Sequence, residues 1–473
     1  MGQGKAGPAD VEACDTYAFV DFGTTLRPWD GFGVNYVEMA QTFDYVNAPQ
    51  DYGGFSILSE VQRQEIIELI FGEEGLQPDL IKMFLDPLHQ QTPGATFEHA
   101  AMTQWMRYFV SEGLERSAAR NQPLEIITTL YGPPGWAKKQ RDIGGRDPDE
   151  AQFDNMARYM VSWIEYLRQE GFPVRYASIN NESANQYSWD VNGAGFKGID
   201  YDAYWTPEQV AEFMTVLRTH LDQEGLEQVG VTPGETANWS TFHQKNYSWA
   251  IVKDPEALKA MDLITSHSFG AMNVVTSSGI SLLRSAKPEL HAWVTSHSWG
   301  KVDMHMSDQI VNNINKAKVN AIIPWAVSQR PAVWRNFDPN PAAPIQVLED
   351  STYEVNANYY FYKQYTRAGK GGKVVCPVSS TAGSGVHLLA FGQGSSDEPD
   401  AFVVVNLNDW STKQLAIRVI GSAKKYRAVR SSRKYGYQLI EKYEEAGSYE
   451  VQDGYLLYTV PRHSVTTFFA EGG

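Results

Sequence analysis

Between about Trp29 and Ala326, short apolar runs alternate with stretches of helical periodicity, and this rhythm constrains the chain more than any other feature of it. Strand followed by helix, repeated, is the signature of a parallel α/β architecture. Eight apolar runs can be marked, at 29–36, 80–85, 124–130, 174–179, 229–232, 261–266, 290–295 and 319–325. Eight strands with intervening helices over roughly 250 residues or more predict a (β/α)8 barrel, with a doubly wound sheet as the competing arrangement. Thr206-Pro207-Glu208-Gln209 marks one helix start, a capping threonine before proline with glutamine closing the box. The apolar stripes that follow it, and those of 153–167, are expected to be core.

After a last helical stretch at 353–366 the pattern becomes all-β. Runs at 386–391, 401–407, 415–419 with strict alternation, 455–460 and 464–469 are separated by Gly, Ser and Asp clusters. A smaller β-sandwich is predicted there. The early run 17–22 has no helix after it and is expected to join that sandwich. The expected division is therefore a barrel over 26–364, with 1–25 and 365–473 forming the side domain.

The 473 residues carry 40 Lys and Arg against 56 Asp and Glu, a net charge of −16. That balance disfavours sequence-independent binding to nucleic acid phosphates or to anionic membranes. Cys14 and Cys376 are too few for a disulfide scaffold, although a single bridge between them is compatible with the sequence. No apolar run reaches membrane-spanning length. The start, MGQGKAGPAD, has neither the apolar core of a signal peptide nor the Ser or Thr that myristoylation wants where Ala6 stands.

Functional side chains of such a barrel sit at the C-terminal ends of its strands. Strand four closes in Asn180-Asn181-Glu182, strand seven in Thr295-Ser296-His297-Ser298-Trp299, and strand eight in Pro324-Trp325. Strand three runs into Tyr131 and then Trp136. A carboxyl group at a barrel mouth can keep a proton and give it to a leaving oxygen, and aromatic side chains around it suit a pyranose ring. Ser296-His297 does not read as a serine hydrolase, because adjacent strand residues point to opposite faces and no Gly-x-Ser-x-Gly elbow is present. His267, His297 and Glu182 lack zinc-binding spacing, so pocket lining is expected of them rather than metal ligation.

In these pieces the chain resembles glycoside hydrolase family 30. The resemblance rests on Asp30-Gly31-Phe32-Gly33, Pro133-Pro134-Gly135-Trp136-Ala137-Lys138, Asn181-Glu182, His267, Trp293-Val294-Thr295, Trp325 and Ser464-Val465-Thr466-Thr467-Phe468, in that order along nearly the whole chain. It implies a retaining β-glycosidase without a cofactor, acting on a β-linked oligo- or polysaccharide outside the cell or in the periplasm, with the cytoplasm also compatible. It further implies Glu182 as acid/base, Asn181 as the contact to the sugar 2-hydroxyl, and Trp136, Trp325 and His267 as pocket walls. Tyr131 is added as an expected sugar contact, and Trp299, with Tyr187, Trp189 and Trp334 just beyond strand ends, is expected either to stack on a sugar at a further subsite or to pack a loop onto the barrel. Lys82 stands where the family often has arginine.

One position departs from the pattern. Where the family's Trp-x-Thr-Glu places a nucleophile, this chain reads Trp293-Val294-Thr295-Ser296. Retaining hydrolysis needs two carboxyl groups about 5–5.5 Å apart, and a serine hydroxyl cannot replace one of them. Impaired hydrolysis is therefore expected. Three origins were compatible with the sequence: a deliberate Glu-to-Ser change that traps substrate or permits synthesis, a natural sugar-binding pseudoenzyme, and recruitment of Glu235. The first was the expectation.

Overall fold

The computed structural model describes residues 11–39, 51–184, 202–270, 274–300, 303–334, 342–408, 410–434 and 438–472. Each of the eight apolar runs contains one parallel strand. In chain order the barrel strands are Gly31–Asn35, Leu80–Leu85, Glu125–Leu130, Val174–Ser178, Gly230–Thr232, Leu263–His267, His291–Ser296 and Ala321–Ile322. The first strand pairs with the second and the eighth, and every other strand of the ladder pairs with its sequence neighbours. A parallel bridge between Val231 and Met261 joins the fifth strand to the segment leading into the sixth and closes the ring.

The interior is filled in layers, as an eight-stranded barrel requires. Leu80, Ile127, Leu263, Trp293, Ala321 and Ile323 form an apolar floor, with Tyr176 packed against it. Gly33 lets the first strand lie against this floor, since a Cβ there would stand 2.6 Å from Ile323. With a side-chain period of two, Lys82, Thr129 and Thr265 occupy the layer above Leu80, Ile127 and Leu263. The barrel is thus apolar below and polar toward its C-terminal mouth.

The helix expected at Thr206 spans Pro207–Gln223, and Thr206 and Gln209 form a complete capping box. Its buried face includes Val210, Phe213, Met214, Leu217 and Leu221. Among the described residues, no helix is long and apolar enough to cross a membrane.

Two sheets form the side domain. The four-stranded sheet orders Val378–Ser380, Thr16–Asp21, Lys413–Ile420 and Tyr455–Val460. The N-terminal strand lies parallel to Lys413–Ile420, as expected of the early run. The seven-stranded sheet contains Val386–Gly392, Ala401–Asn406 and Ser464–Glu471, and ends in a long antiparallel pair, Lys425–Lys434 with Gln438–Glu450. That pair was not anticipated. Between barrel and sandwich lies the helix Ala357–Ala368, which includes the expected boundary at 364. Its Tyr362 hydroxyl donates to the Gly33 carbonyl at 2.6 Å, and its Gln364 amide donates to Ser431 at 2.9 Å. Tyr353–Val355, expected to open this helix, is instead a short strand paired with Ile345–Val347. Cys14 and Cys376 are not bridged.

Thr206→Ala removes one half of the capping box and should lower stability by about 1 kcal/mol. Chemical denaturation should show the loss, and Thr206→Ser should restore most of it.

Candidate functional site at the barrel mouth

A buried charge pair lies beneath the mouth. Lys82 points inward from strand two, and its ammonium meets the Glu235 carboxylate at 2.5 Å with both side chains fully enclosed. Glu235 follows strand five through Gly234, whose φ of 79° is left-handed and where a Cβ would strike the Asn180 amide at 2.3 Å. The carboxylate also accepts from the Thr129 hydroxyl at 2.8 Å and bonds His267 Nε2 at 2.8 Å. Strands two, three and six and the segment after strand five are thus tied at one carboxylate.

His267 carries the connection upward. Its Nδ1 lies 3.3 Å from Glu182 Oε1. Burial alone would raise the Glu235 carboxyl, but Lys82 and the His267 hydrogen bond outweigh it and hold the group down at about 2. Burial alone would lower the His267 imidazole, yet its bonds to Glu182 and Glu235 raise it above its ordinary value. His267 therefore links the two carboxyl groups, with Nε2 toward Glu235 and Nδ1 toward Glu182. Glu182 reaches solvent, at 20% exposure, whereas Glu235 does not.

Glu182 itself stands at φ 42°, a left-handed conformation that is strained for a side chain of this size. It directly follows Asn181, which bridges to Glu235 in parallel register. The Asn181 amide nitrogen donates to buried Asp202 at 2.9 Å, while its buried Oδ1 has no hydrogen-bond partner among the described residues. Neither amide atom of Asn180, also buried, has one among them.

Ser296 reaches this site through an irregularity. Ser266 pairs with Val294, and His267 pairs with Ser296, so Thr295 is an extra residue on strand seven. Strict alternation from inward Trp293 would turn Ser296 outward. The bulge puts Ser296 in register with inward His267 instead, because paired residues of a ladder share a face. Its hydroxyl is buried with no hydrogen-bond partner among the described residues. His297 points the other way, with Nδ1 3.0 Å from the Ser298 carbonyl, and burial pushes its imidazole down to about 4.

Aromatic side chains form one wall. Trp325 lies 6.0 Å from Phe84, 6.3 Å from Tyr131 and 6.3 Å from Tyr52 between ring centroids, with Trp334 at 6.3 Å on its other side. Trp136 is half-buried, and its indole donates to the Gln90 carbonyl at 3.0 Å. Trp299 departs from the sugar-contact reading. It is fully enclosed, and its indole N–H is shared by the carbonyls of Trp325 and Ala326, each at 3.0 Å, so it anchors the end of strand eight and cannot stack on a sugar. Tyr187 and Trp189 lie outside the described residues.

Glu182, Asn181, His267 and Ser296 are therefore brought to one place, beside the aromatic wall that includes Tyr131 and Trp325. The sequence reading had not joined Lys82 to Glu235, nor named Thr129 or Asp202. The period of two placing Lys82 inside the barrel was a usable signal, since a buried ammonium demands a carboxylate. Glu235 spends both oxygens on these partners, which removes it as a substitute nucleophile.

This architecture, a (β/α)8 barrel carrying a β-sandwich, is shared with solved structures of known proteins. One is a family 30 subfamily 8 xylanase from Clostridium acetobutylicum, 15% identical with TM-score 0.70, over 96% of this chain and 99% of that one. Another is the endo-beta1,6-glucanase BT3312, 16% identical with TM-score 0.67, over 96% and 94%. Among curated proteins, the chain is similar to the glucuronoxylanase XynC of Bacillus subtilis, 20% identical over 313 residues. That stretch is 64% of this chain and spans 62% of the relative's length. No family model matches the chain.

The charge cluster sets a pH dependence of stability. Between an unfolded carboxyl value near 4.5 and the folded value of about 2, the unfolded chain holds the Glu235 proton and the folded chain does not. Stability from Glu235 is thus present above roughly pH 4.5 and lost as pH falls toward 2. The His267 contribution has the opposite sign, full below its unfolded value of about 6.5 and lost as pH rises through its raised folded value. Glu235→Gln strands the Lys82 ammonium, should cost about 3–5 kcal/mol and should flatten the acid limb of a denaturation-against-pH curve. An unchanged acid limb would contradict the assignment.

Proposed function

We propose that the chain is a β-glycoside hydrolase of the family 30 type, acting on a β-linked oligo- or polysaccharide, with Glu182 as general acid/base. Asn181 contacts the group on C2, His267 holds Glu182, and Tyr131, Trp136 and Trp325 line the sugar pocket. Ser296 occupies the nucleophile's position and makes this a nucleophile-deficient form. The observation that carries the reading is the pairing of Ser296 with His267, itself bonded to Glu182, at the C-terminal mouth of the barrel. The xylanase and glucanase names of the similar proteins support a β-linked polysaccharide as substrate.

The chemistry follows from the residues. Glu182, solvent-reached and 3.3 Å from His267, can protonate the glycosidic oxygen as the C1–O bond breaks. The opposite face of C1 meets a neutral hydroxyl, so no glycosyl ester forms with the protein. Ordinary 2-hydroxy glycosides should therefore be bound and turned over very slowly. A purely carbohydrate-binding protein is the competing reading, favoured only by that missing carboxylate.

Ser296→Glu should raise turnover of aryl β-glucosides or β-xylosides by ~1,000-fold or more. Unchanged inactivity across a β-glycoside and β-glycan panel, with sugar binding retained, would support the binding protein instead. In the Ser296→Glu background, Glu182→Gln should slow substrates with poor leaving groups far more than activated aryl glycosides. Equal losses for both classes would remove Glu182 as the proton donor.

A further inference from the structure

We propose that the substrate supplies the nucleophile this chain lacks, and that the site is built for β-glycosides of 2-acetamido sugars. The inference rests on the glycosidase reading above and adds the sugar class to it. It starts from the carboxylates around the mouth. Glu235 is bound by Lys82, Thr129 and His267. Asp202 is buried and holds Asn181. Among the described residues of the cluster, Glu182 is left for the leaving group, and position 296, beside it on strand seven, carries no carboxyl group.

Asn181 points to what replaces it. With its nitrogen donated to Asp202, the amide is fixed so that Oδ1 is an acceptor, buried at 5% exposure and unpartnered among the described residues. An acceptor one residue before the acid faces a donor on the carbon next to C1. An acetamido N–H is such a donor, and accepting its hydrogen bond makes the amide oxygen a better nucleophile. Ser296 supplies the second condition. Turned inward by the Thr295 bulge, it is neutral and shorter than glutamate by two carbon–carbon bonds, and it sets no carboxylate there to repel a polarised carbonyl.

The step balances without a further reactant. Glu182 gives its proton to the glycosidic oxygen, and the C1–O bond electrons leave with the alcohol. The acetamide oxygen bonds to C1 to form a bicyclic oxazolinium, whose N–H stays on Asn181 Oδ1. Water then gives its proton to the Glu182 carboxylate and its oxygen to C1, the bond from C1 to the amide oxygen breaks, and the acetamide is restored. Two displacements at C1 give retention.

The test uses the purified full chain with 4-nitrophenyl β-glycosides of N-acetylglucosamine, N-acetylgalactosamine and their β-linked disaccharides, beside the glucoside and xyloside. At least one acetamido substrate should be turned over about 100-fold faster than its 2-hydroxy counterpart, and Asn181→Ala should lose about 100-fold in kcat, the scale for one hydrogen bond at a developing charge. Replacing the acetamide by trifluoroacetamide, a weaker nucleophile, should slow the unchanged protein steeply. Ser296→Glu should reverse the preference toward 2-hydroxy sugars. If the unchanged protein turns over no acetamido substrate while Ser296→Glu hydrolyses 2-hydroxy glycosides, substrate assistance is overturned and the glycosidase reading stands. If neither protein turns over any substrate, both readings fail.

Discussion

An ammonium group inside a barrel is an expense that the surrounding structure must answer. Lys82 sits one layer above an apolar floor, where an unpaired charge would be untenable, and Glu235 answers it at 2.5 Å from the far side of the ring. Because the same carboxylate binds Thr129 and His267, the pair does more than neutralise itself. It sets the height and tilt of the imidazole, and the imidazole in turn meets Glu182. The acid at the rim is positioned by a charge buried well below it.

The same chain of contacts does not run through the Ser296 side chain, so it stands whatever residue occupies that position. Identities of 15–16% accompany near-complete structural coverage, since barrel stability resides in the floor, the helices and the sandwich interface, whereas function in such folds resides at strand ends. A substitution at position 296 leaves the Lys82–Glu235–His267 support untouched.

The strand-helix rhythm located all eight barrel strands because each is buried on both faces and reads as an apolar run. The sandwich strands with strict alternation were equally legible. Lys425–Lys434 and Gln438–Glu450 were not, since their charged residues, among them Arg427, Arg430, Glu441 and Glu445, pair across the two strands and mask the period. Trp299 misled for a related reason. A tryptophan just past a strand end looks the same in sequence whether its indole faces a sugar or, as here, two backbone carbonyls.

The sequence by itself determined the order of strands and helices, the presence of Glu182 at a strand end and the absence of a carboxylate at 296, since these depend on residue type and local period. Only the tertiary structure decided which way position 296 faces. A one-residue bulge at Thr295 reverses the alternation that the sequence would imply, and such a bulge arises from the register of strand seven against strand six, a pairing between segments that local pattern does not encode. Packing likewise decided that Lys82 and Glu235, 153 positions apart, share one buried hydrogen bond.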